Sequence, residues 1–298
     1  MELSWIDKLR IAAVAALGVL AIGVLAWPLV APEDPLLPVR AWSAGFLGTV
    51  VLLGLAFGVG FVGYFVAWPH GREIGILGVP FGLVVWAGRS GPMRILTQIY
   101  EEPLERAALL QALRFEPLYW LLLVAAGFAG VLVAQRLRSA TTAPPDSGTA
   151  QSRPGAGTYV NRLLAVAVAA VAAQFFLGVF VQNLTTFYGV AATQPAIGQI
   201  IFGVIAAFAV AAFITKKFLD VSYVWPALAS ALVFGIAEVV YYGGTRIQDF
   251  AETRPATFFP HSVFAILPIQ LVALGALGSV LGYWLAIRYD YWRQHESA

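Results

Sequence analysis

The sequence predicts an all-α, polytopic membrane protein with eight transmembrane helices, built as two parallel four-helix repeats with both termini inside. Three observations predict it. Of the 298 residues 60% are hydrophobic and only 11% charged, eight apolar runs have spanning length, and the second half repeats the order of features in the first. Soluble domains carry roughly 45 to 50% apolar and about 25% charged residues, so a water-soluble globule is excluded. Cys is absent, which removes disulfides, thiolate metal sites and Cys nucleophiles together. The net charge of +2 leaves no electrostatic footprint for nucleic acid.

A bilayer core takes about 20 apolar residues per helix. The runs extend over Ile11 to Val30, Trp42 to Trp68, Ile74 to Gly88, Pro117 to Ala134, Leu163 to Gln182, Ala196 to Thr215, Ser222 to Gly243 and Ser262 to Ile287. None alternates with a period of two, so a helical bundle is expected rather than a β-barrel. The third run is the shortest, closed by Trp86 and flanked by Arg72 and Arg89. Between the third and fourth runs, residues 94–114 read as an amphipathic segment broken at Pro103, with Ile95, Ile99, Leu110 and Leu113 on its apolar side. Such a segment lies on the outer surface or caps the bundle.

With the N-terminus inside, eleven basic residues flank the inner ends of the runs and seven the outer ends. The positive-inside rule then puts both termini in the cytoplasm. Trp27, Trp42, Trp86 and Trp120 are expected at the outer interface, and Trp5, Trp68, Trp225, Trp284 and Trp292 at the inner one. Fifteen of the eighteen basic residues are Arg, and Ala and Gly abound; this composition suggests a GC-rich bacterial genome and hence a plasma membrane.

The repeat is read from ordered matches 146 to 154 residues apart. Trp5-Ile6-Asp7-Lys8-Leu9 pairs with Tyr159-Val160-Asn161-Arg162-Leu163, Pro80 with Pro226, and Pro117 with Pro268. Weak, order-preserving similarity of this kind marks transporter-type repeats. The halves are then residues 1–138 and 160–298. Between them Ser139 to Tyr159 is rich in Pro, Gly, Ser and Thr with no bulky aliphatic, which is linker composition. Small residues on the second run (Gly54, Gly58, Gly60, Gly63) and the eighth (Gly275, Gly278, Gly282) are the expected contacts between halves, because they let helix backbones approach in lipid.

An ionisable group inside a span is a functional candidate by default. Glu238, in the outer part of the seventh run, is the clear case, with Tyr242 four residues on and an outer-loop Arg, Arg246, Arg89 or Arg94, as expected partner. Beside it the outer loop supplies Asp249, Glu252, Arg254 and His261, a set suited to gripping a phosphate and to acid/base work. Amides gather in the second half: Gln174, Gln182, Asn183, Gln194, Gln199 and Gln270. Such groups need partners in lipid and should face the bundle interior. The substrate-binding candidates are therefore Glu238, Tyr242, Arg246, Asp249, Glu252, Arg254, His261, Arg89, Arg94, Gln174, Gln199 and Gln270.

No span carries a histidine pair for haem or a lysine for a Schiff base, and HExxH, GxSxG and Walker A motifs are absent; no cofactor and no metal is expected. Energy from ATP would need a partner subunit. The leading expectation is a small-solute or lipid transporter or permease subunit. The alternatives are a membrane enzyme or accessory subunit acting on a lipid-linked substrate at the outer interface, and a structural subunit of a membrane complex. Besides the lipid bilayer, the expected partners are membrane or ATPase subunits, with no nucleic acid.

Overall fold

Helix α1 (Trp5–Gly18) starts where the Ser4 side chain accepts the Asp7 N–H at 3.2 Å while the Asp7 carboxylate accepts the Ser4 hydroxyl at 2.7 Å, a reciprocal cap for otherwise orphaned donors. The computed structural model describes residues 4–100, 102–142, 156–181, 192–242, 252–253, 257–259 and 261–296. α1 runs on as a π-helical stretch, Val19–Leu25. There follow α2 (Gly45–Val66), the short α3 (Gly71–Ile74), α4 (Gly78–Arg89), α5 (Met93–Ile99), α6 (Pro103–Leu113) and α7 (Glu116–Thr142). The remaining helices are α8 (Ala156–Phe180), α9 (Ile197–Leu219), α10 (Val224–Tyr242) and α11 (Pro268–Glu296). Two-residue strands, β1 (Ala192–Thr193) and β2 (Phe258–Phe259), pair antiparallel. α9 ends at Asp220, whose left-handed backbone (φ 48°) stops the helix while Lys216 bridges back to its carboxylate.

The chain is a helical integral membrane protein. Six helices are long and apolar enough to cross a bilayer: Trp5–Leu25, Gly45–Val66, Pro103–Ser139, Gly157–Phe180, Ile197–Leu219 and Pro268–Gln294. The third apolar run falls within Gly71–Arg89, which bends by 52° into Met93–Ile99 beyond the run; the pair counts as a seventh span if taken together. The seventh run is the shorter apolar helix Val224–Val240. Phe46, Leu47, Phe175 and Val239 are each more than half exposed on the outside of the bundle, which is the surface acyl chains require.

α11 is the innermost helix: 72% of its apolar window is buried, against 22% for α1 and for α2. It packs against α9 and α10 on one side and against α4 and α7 on the other. Ile269, Leu271, Val272 and Ala273 are all fully buried in this position.

The small residues act differently from expectation. Gly54 and Gly58 face open space, whereas Gly60 meets Gly127 of α7 so closely that a Cβ would sit 1.8 Å from the Gly127 carbonyl oxygen. Gly63 packs on Gly75, and Gly275, Gly278 and Gly282 pack on α9; a Cβ on Gly282 would lie 2.0 Å from the Ala209 oxygen. These glycines therefore set contacts within each half and not between halves. Where the halves meet, bulky residues do the packing: Ile76 and Leu77 contact Tyr223 and Val280.

Trp86 and Trp120 also depart from expectation. Both are fully buried, with ring centroids 6.3 Å apart in an edge-to-face contact, so they are core residues and not interface anchors. In the segment after α4, Leu110 and Leu113 are buried but Ile99 is 55% exposed; Met93 and Leu96 take the inward face of α5. The ends of the Ser139 to Tyr159 stretch are helical, since α7 reaches Thr142 and α8 begins at Ala156. Residues 143–155 lie outside the described residues.

Gly60→Ala should destabilise the protein by about 1–3 kcal/mol, the usual cost of overpacking, whereas Gly54→Ala should be neutral within about 0.5 kcal/mol. Thermal unfolding of both variants in detergent checks this; equal melting temperatures would contradict the close approach of α2 and α7.

Candidate functional site

The polar residues that join the two halves fall at opposite ends of α11. A helix rises about 1.5 Å per residue, so Gln270 near its start and Arg288 near its finish are about 27 Å apart along the axis, close to the hydrocarbon thickness of about 30 Å.

At the Gln270 end the junction is closed by hydrogen bonds and one ion pair. Gln270 accepts the Leu267 N–H through Oε1 at 3.1 Å and donates from Nε2 to the Ala87 carbonyl at 3.5 Å, linking α11 to α4. Gln194 accepts the Arg94 N–H at 3.1 Å and donates to the Ala265 carbonyl at 2.7 Å. Glu238, buried on α10, pairs with Arg114 of the other half at 3.6 Å. That separation is longer than the 2.7–2.9 Å of a charge-assisted hydrogen bond, and the Arg114 side chain is 48% exposed, so solvent screens the pair.

Among the described residues Arg114 is the partner of Glu238, in place of the expected Arg89 or Arg94. Arg89 instead stacks its guanidinium over Trp27 at 5.0 Å, and the Arg94 side chain is exposed. Arg114 ends the capping segment just before α7, which carries it toward α10; its position follows from the packing of α7 on α10 and from no local signal. Arg246, Asp249, Arg254, Gln182, Asn183 and the Tyr242 side chain lie outside the described residues. Glu252 is exposed. Gln199 donates to the Phe180 carbonyl at 3.2 Å, joining α8 and α9. The Gln174 amide has both polar atoms buried without a hydrogen-bond partner among the described residues. Arg40 and Glu116, outer-side charges 76 residues apart, form an ion pair with the carboxylate fully buried, a pairing that no local signal announces.

His261 heads the short helical turn Ser262–Ala265, its Nδ1 accepting the Val263 N–H at 3.3 Å. Burial lowers its pKa to about 4. The side chain is neutral at pH 7, which is the form that accepts this bond.

The other end of the junction is open. A cavity of about 350 Å³ lies between the start of α1, the turn at His70 to Ile74 and the last turns of α11. Its polar lining includes Asp7, His70, Glu73, Arg288 and Tyr291; Leu281, Trp284 and Leu285 supply apolar wall. Next to it, toward the bundle centre, Tyr223 donates its hydroxyl to the Arg72 carbonyl at 3.0 Å and packs with Ile76, Leu77 and Val280. Asp7, the turn that carries His70 and Glu73, and Arg288 are three segments far apart in sequence, so only the fold reveals that they share a cavity.

Among the described residues no three His, Asp or Glu side chains gather to hold a metal ion. The chain matches no protein family, no curated protein and no solved structure.

Because folding lowers the His261 pKa below its ordinary 6.5, the unfolded chain binds the extra proton between pH 6.5 and 4. Stability should hold above pH 6.5 and fall as the pH drops through that window. Thermal unfolding from pH 7.5 to 4 should show the decline in the wild type and a shallower one in His261→Gln; parallel profiles would contradict a buried neutral imidazole.

Proposed function

We propose that this membrane protein is a transporter, or the membrane subunit of a permease, for a small solute or a lipid. The observation that carries the reading is the uneven junction between its halves. At one end the junction is held by Gln270, Gln194 and the Glu238–Arg114 pair; at the other it opens into a cavity with charged lining. A junction closed at one end and open at the other fits one state of an alternating-access cycle, with rocking of one half against the other. The closing contacts are few and polar, and those of Gln194 and of the Glu238–Arg114 pair are partly solvated, so they can part at modest cost.

The reading takes the bent pair Gly71–Arg89 and Met93–Ile99 as the third span and Val224–Val240 as the seventh, for eight in all. Two parallel four-helix repeats are supported by packing and by sequence. In each half the second helix makes its most extensive contact with the fourth, α2 with α7 and α9 with α11, and each of these pairs closes on a glycine, Gly60 or Gly282. Pro80 and Pro226 occupy the same third position of α4 and α10. Both termini are assigned to the cytoplasm of a bacterial plasma membrane from the surplus of basic residues. On this topology the path runs past Glu238 in the outer half of the membrane, with the cavity facing inward.

A reporter inserted at Gln248 should then lie on the opposite side of the membrane from one fused after Ala298. The same side for both would remove the eight-span arrangement.

The absence of native Cys allows a direct test of transport. Ile95→Cys and Gln194→Cys, joined by a short cleavable bifunctional reagent, should block liposome uptake of a panel of small solutes or translocation of a short-chain fluorescent phospholipid, and cleavage should restore it. Full activity in the joined protein, or no activity across the panel in the unjoined one, would refute the proposal.

A further inference from the structure

The cavity at the end of the junction has the lining of an amphiphile site. Leu281 and Leu285 on α11 are 42% and 47% exposed while also lining it, so its wall continues onto the apolar outer surface that faces acyl chains. A ligand can enter sideways from the lipid without crossing water. The volume of about 350 Å³ is at the small end of ligand pockets, roughly 300–1,000 Å³. It has room for a headgroup and the beginnings of its chains, with the tails left on α11.

The charges specify the headgroup. Of the two carboxylates, Asp7 is already engaged: Arg10 donates to one oxygen at 2.9 Å and Ser4 to the other at 2.7 Å. Glu73 is half-buried and has no hydrogen bond or ion pair among the described residues. Its carboxylate, lining the cavity and engaged by no other described side chain, is placed to take a cation that enters. Arg288 stacks its guanidinium over Trp292 at 4.7 Å, which leaves its N–H donors for an anion. His70 stands beside Asp7 and Glu73 in the same lining.

We propose that this cavity binds a zwitterionic phospholipid with a primary ammonium headgroup, the ammonium donating to Glu73 and the phosphate accepting from Arg288. An anionic headgroup lacking the amine satisfies Arg288 and leaves Glu73 unpaired beside added negative charge. A quaternary ammonium pairs with the charge of Glu73 but has no N–H to donate. The inference rests on the cavity being the open end of the junction, and it supplies the ligand class for that end.

The test is lipid retention by the purified full chain, read by native mass spectrometry after exchange in mixed micelles of phosphatidylethanolamine, phosphatidylcholine and phosphatidylglycerol. The wild type should retain phosphatidylethanolamine about tenfold over the other two, the scale of one charged hydrogen bond. Glu73→Gln should lose that preference, and Arg288→Gln should lose retention of all three. Equal or greater retention of phosphatidylglycerol by the wild type would overturn the proposal, as would an unchanged preference in Glu73→Gln. The wild-type competition decides the matter even if either variant misfolds. Retention is measured without transport, so the failures are separable: selective retention in a protein that moves nothing upholds this site and rejects the transporter, and transport without selectivity does the reverse.

Discussion

Everything in this bundle depends on burying the first half of α11, residues 268–280, on all sides. A helix at the edge of a membrane protein can leave one face to lipid, and α1 and α2 do so. A helix at the centre must find a complementary protein surface around its whole circumference, since a void there gains neither lipid nor side-chain contacts. α11 meets this demand asymmetrically. Its small residues admit the α9 backbone at close range, while its larger ones, with those of α4 and α7, fill the opposite side. One interface is close and extensive, fixed by glycine; the other is smaller and made of bulky side chains, the kind that can slide and repack.

The coarse architecture was legible from the chain because bilayer physics leaves few choices. Runs such as Gly45–Val66 and Ile197–Leu219 announce themselves by length and apolarity. Glu238 was legible for the opposite reason, since a carboxylate in such a run must find a partner or be expelled. Its partner was not legible. Arg114 is one of several outer arginines, and only the docking of α7 beside α10 selects it. Trp86 and Trp120 misled because indole has two stable habitats, the interface and the packed core, and a sequence shows the residue without its surroundings. The glycines misled in a related way: small residues indicate that backbones approach, and which backbone is a property of the fold.

The two ends of the junction also differ in how their polar groups are satisfied. At the Gln270 end amides bond main-chain carbonyls and N–H groups, partners that every residue of the chain supplies. At the Arg288 end the charged groups are drawn from three separate segments and are largely unsatisfied by one another. Unmet electrostatic demand beside an opening is a different physical situation from a closed seam, and the two together give this molecule a direction along the membrane normal that its near-even charge balance conceals.

The position of α11 in the chain has a consequence for biogenesis. It follows every other described helix, so the ribosome delivers the organising element only after all of them. Until Pro268–Glu296 has entered the bilayer, the inward faces of α4, α7 and α9 have only lipid or one another to pack against, and Ala87 and the Ile205 to Ala209 backbone wait without their eventual neighbours. Earlier helices must therefore persist as a loosely associated set through the synthesis of more than half the protein. A ribosomal stall or a frameshift before Pro268 would leave a set of inserted helices with no centre, a form that membrane quality control can recognise by its exposed polar groups.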